Sequence, residues 1–141
     1  MKKDNIIEEL TSAVDALSFA LKEFNNKPNH GITEQSELLK NYYLLATKLT
    51  RHVQSIDDIS LIICERIQIA DKQNDISEAD NLEKLFDISI AVIKLCEEFS
   101  NSVEIDIGSK QFQSLQLRSH IDALSRKLFF YKENLTKIKN A

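Results

Sequence analysis

Apolar residues recur along this chain at alternating steps of three and four, the spacing of helices that pack along one side. The longest such stretch runs from Thr33 to Gln73, and neither Gly nor Pro interrupts it. Its seam is formed by Tyr42, Leu45, Leu49, His52, Ile56, Ile59 and Ile63. The spacing predicts one long helix over residues 34–73 with coiled-coil-like packing, and the rest of the chain forms shorter helices laid against it.

Three shorter stretches follow the same rhythm and predict helices over residues 5–25, 77–101 and 109–139. The seam of the first consists of Ile7, Leu10, Val14, Leu17, Leu21 and Phe24. The third stretch, with Ser77 as its N-cap, is apolar around most of its girth, which favours a central position. The seam of the last consists of Leu117, Ile121, Leu124, Leu128, Tyr131, Leu135 and Ile138. Residues 103–107 alternate apolar and acidic side chains, so we expect an extended connector there.

Two local patterns compete with this assignment. Ile88, Ile90 and Val92 alternate as in a β-strand, but the length of the segment and its flanking seam positions favour a helix. Ser55 and Asp58 resemble a helix-starting capping box inside the long helix. A break usually shifts the phase of a seam, and here the phase is kept, so a continuous helix is favoured over a bend at Ser55–Asp58.

Composition supports an all-α fold. The chain has 141 residues with only two Gly and one Pro, too few for the turns of an all-β or α/β domain. Its apolar share of 43% is too high for a disordered chain and allows a core without metals or disulfides. We therefore predict a single domain over residues 1–141, an elongated antiparallel bundle of four helices.

The helix lengths predict how the bundle is filled. A helix of about forty residues is about 60 Å long, and the first helix covers about half of it, with Leu10 near Leu49. The third and fourth helices cover the other half, which leaves a two-helix arm. Two such arms pair in a C2 dimer, unless a bend at Ser55–Asp58 folds the arm back. The predicted dimer surface consists of Ile7, Val14, Leu17, Leu38, Tyr42 and Leu49.

The sequence carries no motif for catalysis or cofactor binding. None of the three histidines completes a Glu-x-x-His pattern, the ligand set of dinuclear metal sites in bundles. His52 lies in a seam and is expected to be partly buried, the alternative being a pH-sensitive or ligand-contacting role. Cys64 and Cys96 do not face each other in the predicted hairpin, so two reduced, buried thiols are expected. The sequence thus predicts no catalytic residue, no metal and no cofactor.

Charge is distributed unevenly along the chain. The net charge is −4, yet residues 109–141 hold seven Lys and Arg residues against Asp122 and Glu133. The basic side chains either bind a partner or pair with acidic residues of the third helix, namely Glu83, Asp87, Glu97 and Glu98. Off-seam aromatic residues at Phe19 and in the last helix form either packing or contact surfaces. The candidate partner-binding surface consists of Arg118, Lys127, Phe129, Phe130, Lys132 and Lys139.

Together these features predict a non-enzymatic protein–protein interaction module, an adaptor, small chaperone or inhibitor-type protein that acts through helical surfaces as a homodimer. The alternatives are a nucleic-acid-associated protein that uses the basic last helix and an enzyme with a bundle-core site that no motif reveals. The first residues lack a signal-peptide core, and the longest uncharged apolar stretch, Ile88–Ile93, is far shorter than a membrane span. We expect a cytoplasmic protein that binds another protein.

Overall fold

The computed structural model describes the backbone of residues 2–26, 35–108 and 114–140, and the side chains of residues 5–23, 40, 43–102 and 119–140. These residues form four helices, which confirms the all-α prediction. The helices are α1 (Lys2–Asn26), α2 (Gln35–Lys72), α3 (Ile76–Gly108) and α4 (Ser114–Asn140).

The four helices form a ring in which each helix packs against the next. α1 contacts α2, α2 contacts α3, α3 contacts α4, and α4 returns to contact α1. Across the diagonals, α1 and α3 touch only slightly, and in the described part of the chain α2 and α4 do not come within 8 Å at their Cα atoms. Because short connections make consecutive helices antiparallel, this is an up-down-up-down four-helix bundle.

The long helix α2 is continuous. It spans 38 residues, about 57 Å, without a break at Ser55–Asp58. Asp58 is exposed and accepts a hydrogen bond of 3.2 Å from Nε2 of Gln54, one turn earlier on the same helix. The resemblance to a capping box therefore marks a solvent-facing side of α2 and does not interrupt the helix.

The core is built from the predicted seams of all four helices. Its fully buried large side chains are Leu10, Leu17, Leu21, Leu49, Ile56, Ile63, Leu82, Leu85, Ile121, Leu124 and Leu128. Burial of each such side chain stabilises the fold by about 1.5–3 kcal/mol relative to an exposed position. Since the buried set forms one contiguous cluster, these seams share a single core.

The expectation of an exposed two-helix arm is wrong. Ile7, Val14, Leu17 and Leu49 are buried within the single chain, so they do not form a free dimer surface. The physical reason is the position of α4, which lies between α3 and α1 and covers both, rather than only the half of the bundle near the α2–α3 turn. Of the remaining predicted dimer residues, the side chains of Leu38 and Tyr42 lie outside the described residues.

The N-terminal part of α1 also reaches further along α2 than predicted. Asn5, Glu8 and Glu9 line a groove together with Ser55, Asp58 and Ile59 of α2. The start of α1 therefore lies beside the middle of α2. The last turns of α2 and the first turns of α3 continue past Lys2, the first residue of α1, as a hairpin that projects by about 12 Å.

The corner between α2 and α3 is closed by a Schellman motif. The amide of Asp75 donates to the carbonyl of Ala70 at 2.9 Å, and the amide of Asn74 donates to the carbonyl of Asp71 at 3.1 Å. Asn74 adopts a left-handed conformation with φ of 57°, which Asn tolerates better than most residues. The motif satisfies the last carbonyls of α2 and turns the chain within the three residues between the helices.

Asp75 begins the next helix, which corrects the prediction of Ser77 as its N-cap. Its Oδ1 accepts a hydrogen bond of 3.2 Å from the amide of Glu78, and its carbonyl accepts the first helical bond, from Ala79. A side-chain oxygen that binds the amide three residues later is the geometry of an N-cap. The same residue thus finishes the Schellman motif and caps α3.

Small residues allow α2 and α3 to approach closely. Ser60 and Ser89 are buried and stand at the same number of residues from the corner, as do Ala70 and Ala79. Each serine hydroxyl donates to the carbonyl four residues earlier on its own helix, at 2.9 and 3.0 Å. The hydroxyls therefore leave no unsatisfied donor in the interface.

The predicted connector at residues 103–107 is wrong, since α3 continues as a helix to Gly108. The alternation of apolar and acidic residues is a local preference for extended backbone, and this preference is weak. Helix propagation from the preceding turns outweighs it, because each added residue gains one backbone hydrogen bond.

Substitutions in the core and on the surface should separate the buried seams from the exposed positions. We expect Leu45→Ala, Ile63→Ala or Leu124→Ala to lower the free energy of unfolding by about 2–5 kcal/mol each, because each leaves a cavity. Phe19→Ala should cost much less, since the ring is 64% exposed. Urea denaturation followed by circular dichroism measures both, and equal losses for Phe19 and Leu45 would contradict the placement of α1.

The cap at Asp75 has a matched control two residues later. We expect Asp75→Ala to lower the free energy of unfolding by about 0.5–2 kcal/mol, because the amide of Glu78 loses its acceptor. Ser77→Ala should change it by only a few tenths of a kcal/mol, since the exposed Ser77 is not the cap. A larger loss for Ser77→Ala than for Asp75→Ala would restore Ser77 as the capping residue.

Candidate functional site

The outward side of α4 carries the most prominent exposed aromatic residues. Phe129 and Phe130 are 62% and 61% exposed, and they lie on the side of the helix away from the buried Leu124, Leu128 and Leu135. We call the stripe around them the α4 outer face. Its members are all exposed and, apart from the adjacent Phe129 and Phe130, are spaced three or four residues apart: Ser119, Asp122, Arg126, Phe129, Phe130, Glu133, Lys137 and Asn140.

An ion pair marks the level of α4 against α1. Nζ of Lys132 lies 3.0 Å from Oδ1 of Asp15, and both side chains are substantially exposed. An exposed pair of this kind contributes about 0–1 kcal/mol, so its main use here is as a marker of register. For Lys132 it departs from both alternatives considered for the basic residues of the last helix, a partner or the third helix, because Lys132 pairs with the first helix.

Phe19 of α1 lies beside the α4 outer face. It follows Asp15 by one helical turn, while Phe129 precedes Lys132 by about one turn. Because α1 and α4 run antiparallel, both steps lead in the same direction along the bundle. Phe19 and Phe129 therefore lie at the same level, and three exposed phenylalanines occupy one side of the α1–α4 layer.

The structure brings together only part of the predicted partner-binding surface. Phe129 and Phe130 share the outer face, whereas Lys132 lies at its edge against α1. Lys127 precedes the buried Leu128 by one residue and lies on the opposite edge of the helix from Phe129. Lys139 is exposed in the last turn, and the side chain of Arg118 lies outside the described residues. The basic residues thus do not form one continuous stripe.

Sequence reasoning missed the charged members of the outer face. Asp122, Arg126, Glu133 and Lys137 alternate in sign on both sides of the two phenylalanines. None of these four side chains forms an ion pair with another described residue. Their spacing of four and seven residues is visible in the sequence, so the signal existed, but it becomes informative only when the phase of α4 is known.

A second exposed apolar set lies on the projecting end of the α2–α3 hairpin. Ile62 follows Ile59, which borders the α1 groove, by three residues, and Ile69 follows Ile62 by seven. Both therefore lie on the side of α2 that α1 covers earlier in the helix, around residues 55–59. The complete set of exposed aliphatic side chains at this end is Leu61, Ile62, Ile69 and Ile76. We call this set the hairpin tip.

The titratable interior groups have structural explanations. Burial, with a smaller effect from Lys48, lowers the pKa of His52, because desolvation disfavours the charged imidazolium. Burial, with a smaller effect from Glu97, raises the pKa of the Cys96 thiol to about 12, which makes it unreactive as a nucleophile. His120 packs edge-on against Phe99, with ring centroids 6.3 Å apart, and so joins α4 to α3.

The grooves between the helices are shallow and open to solvent. The α1–α2 groove, of about 620 Å³, is lined by Asn5, Glu8, Ser12 and Asp58 among others. The α3–α4 groove, of about 390 Å³, is lined by Asn81, Lys84, Asp87, Ile88, Asn134, Lys137 and Ile138. Within the described side chains, no group of three or more His, Cys, Asp or Glu residues is placed to hold a metal ion.

Comparisons of this chain with protein-family models, with curated proteins and with solved structures find no match. In the described residues, no helix has a stretch that is both long and apolar enough to cross a membrane.

The lowered pKa of His52 has a consequence for stability. The unfolded residue titrates near 6.5 and the folded one lower, so between the two values the unfolded chain binds more protons. We therefore expect a stabilising contribution that is complete above pH 6.5 and is lost as the pH falls through the lowered pKa. Urea denaturation at about pH 7.5 and about pH 5.5 should show a smaller acid loss for His52→Gln than for the wild type. Equal losses in the two proteins would contradict the assignment.

Proposed function

We propose that this chain is a non-enzymatic protein–protein interaction module, an adaptor, small chaperone or inhibitor-type protein that acts through its outward helix faces. One observation carries the proposal. Among the described residues nine large apolar side chains remain exposed, and seven of them lie at the α1–α4 layer or at the hairpin tip, the other two being Tyr43 and Leu44 of α2. Exposed apolar side chains that are grouped rather than scattered are typical of binding surfaces.

The free energy available at these surfaces is substantial. Burial of apolar surface contributes about 25 cal/mol per Å², and aromatic side chains are enriched in the centres of interfaces. Phe19, Phe129 and Phe130 each expose more than 60% of their surface and contribute little to the folded core. A partner that covers them gains stabilisation that the isolated chain does not use.

The hairpin tip supports binding of a partner helix. Ile62 and Ile69 continue the side of α2 that α1 covers, so an added helix laid along them extends the layer formed by α1. Within one turn of them on α2 lie the exposed Asp58, Glu65 and Lys72, and Arg66 lies between the two isoleucines. We therefore propose a partner segment with an apolar stripe and a rim that carries both signs of charge, since complementary charges favour the encounter and fix its orientation.

Two unpaired cysteines support a cytoplasmic location. Cys64 and Cys96 are both free thiols, and Cys96 is buried. Free, buried thiols persist in a reducing compartment, where disulfides are rare. We propose that the interactions take place in the cytoplasm.

Affinity capture from native cells, followed by mass spectrometry, tests the function. Ile62→Glu with Ile69→Glu should remove the captured partner, because two charges are placed on the apolar stripe. The matched control is Thr47→Glu with Gln54→Glu, exposed positions on the same helix with the same spacing of seven residues. The control should retain the partner, and both variants should unfold at nearly the wild-type temperature. Identical captured proteins for the wild type and the Ile62/Ile69 variant would contradict binding at the hairpin tip.

A further inference from the structure

We infer that the α4 outer face is a self-association surface, on which a second copy of this chain packs antiparallel about a twofold axis between Phe129 and Phe130. The inference rests on the proposed interaction function and names the occupant of one of its two surfaces. It replaces the predicted dimer surface on α1 and α2, whose described residues Ile7, Val14, Leu17 and Leu49 are buried in the single chain.

The order of residues along the face is self-complementary. Arg126 and Glu133 stand at equal distances from the midpoint between the two phenylalanines, and so do Asp122 and Lys137. In an antiparallel pair centred on that midpoint, each residue meets its counterpart. Arg126 of one copy then faces Glu133 of the other, and Asp122 faces Lys137. Each pair occurs twice in the dimer, and the polar Ser119 and Asn140 meet at its ends.

The same charges exclude the parallel arrangement. If the two α4 helices ran in the same direction about an axis along their length, each residue would face its own copy. Arg126 would then meet Arg126, and Glu133 would meet Glu133. Like charges in contact are destabilising, whereas all four pairs of the antiparallel arrangement are attractive. The sign pattern therefore selects one orientation.

The charges are available for this pairing. All four side chains are exposed, and none forms an ion pair with another described residue. Each helix carries two pairs of opposite charges at the i, i+4 spacing. One pair is Asp122 with Arg126, and the other is Glu133 with Lys137. Such spacing alone suits a solvated helix surface. A helix surface that only faces solvent would not be expected to carry two exposed phenylalanines, and Phe129 and Phe130 lie at the midpoint of the charge pattern.

α1 enlarges the contact. A twofold axis perpendicular to the helices and lying in the interface stacks α4 on α4 and α1 on α1. Because Phe19 lies level with Phe129, the Phe19 side chains of both copies come close to the same axis. Six phenylalanines thus gather at the centre of the dimer, surrounded by a charged rim.

The area is close to what a stable dimer needs. The face spans residues 119–140, about 32 Å of helix, and the α1–α4 layer is about 20 Å wide. Its projected area is therefore on the order of 600 Å², against about 800 Å² per partner in a typical stable complex. An aromatic centre with a polar rim is the usual anatomy of such an interface.

Sedimentation equilibrium of the full chain over a range of concentrations tests the inference. We expect the wild type to reach twice the 16.2 kDa chain mass at micromolar concentration. Arg126→Glu places like charges opposite each other at two points and should raise the dimer dissociation constant at least about tenfold. Glu133→Arg should do the same. Lys127→Glu, which makes the same charge change on the other edge of α4, should leave the dissociation constant unchanged.

Charge exchange tests the register. The double variant Arg126→Glu with Glu133→Arg restores both attractive pairs in the antiparallel arrangement, so its dissociation constant should return to near the wild-type value. An equimolar mixture of the two single variants should form a heterodimer, since each then supplies the charge that the other lacks. Circular dichroism of every variant checks that the helices are intact.

The outcomes separate the inference from the proposed function. A wild-type chain that stays monomeric at high concentration, or a dimer that Arg126→Glu does not weaken, overturns the α4 pairing. So does a double variant that stays as weak as the single ones. If such a chain still loses its partner through Ile62→Glu with Ile69→Glu, the interaction function survives. If instead the chain dimerises as expected but captures no other protein, the α4 pairing stands and the proposed binding of a partner at the hairpin tip is overturned.

Discussion

The structure depends on the contact between α4 and α1, which closes the ring of helices. α2 and α3 are joined by a three-residue corner and would pair in any case, because Asp75 both completes the Schellman motif and caps the next helix. α1 has no such constraint. Its seam, with Val14 and Leu17, is buried between α2 and α4, and α4 comes from the other end of the chain. The N-terminal helix is therefore stabilised by residues more than one hundred positions away in the sequence.

The same contact explains what could be predicted from the sequence. Seams with a three-and-four rhythm are a local property, so the four helices, the continuity of α2 and most of the core follow from it. A seam indicates that a face is buried, but it does not indicate what covers it. The apolar stripe with Ile7 and Val14 could be buried equally well by a second chain or by α4 of the same chain. Helix adjacency is set by the packing of the whole bundle, which no local pattern contains.

The errors at helix ends have a related cause. Ser77 and Asp75 are both good capping residues, and the sequence alone does not decide between them. The decision comes from Asn74, whose left-handed backbone turns the chain early and leaves Asp75 in the capping position. At residues 103–107 the alternation of side chains favours extended backbone, yet the helix continues. In both places the conformation of the preceding turns outweighs the local preference.

The candidate site illustrates a different limit, because its signal lies in the order of charges on an outward face. Asp122, Arg126, Glu133 and Lys137 are plain in the sequence, but their symmetry about Phe129 and Phe130 has meaning only when all six share one side of α4. The two kinds of residue then have different roles. Exposed ion pairs are worth little each, so they favour one direction and one register of pairing rather than tight binding. The phenylalanines supply the apolar area, which has no direction of its own. On a surface that combines both, the order of the charges selects the partner and its orientation, and the buried apolar area supplies the free energy of binding. The inner side of the same helix packs in the core.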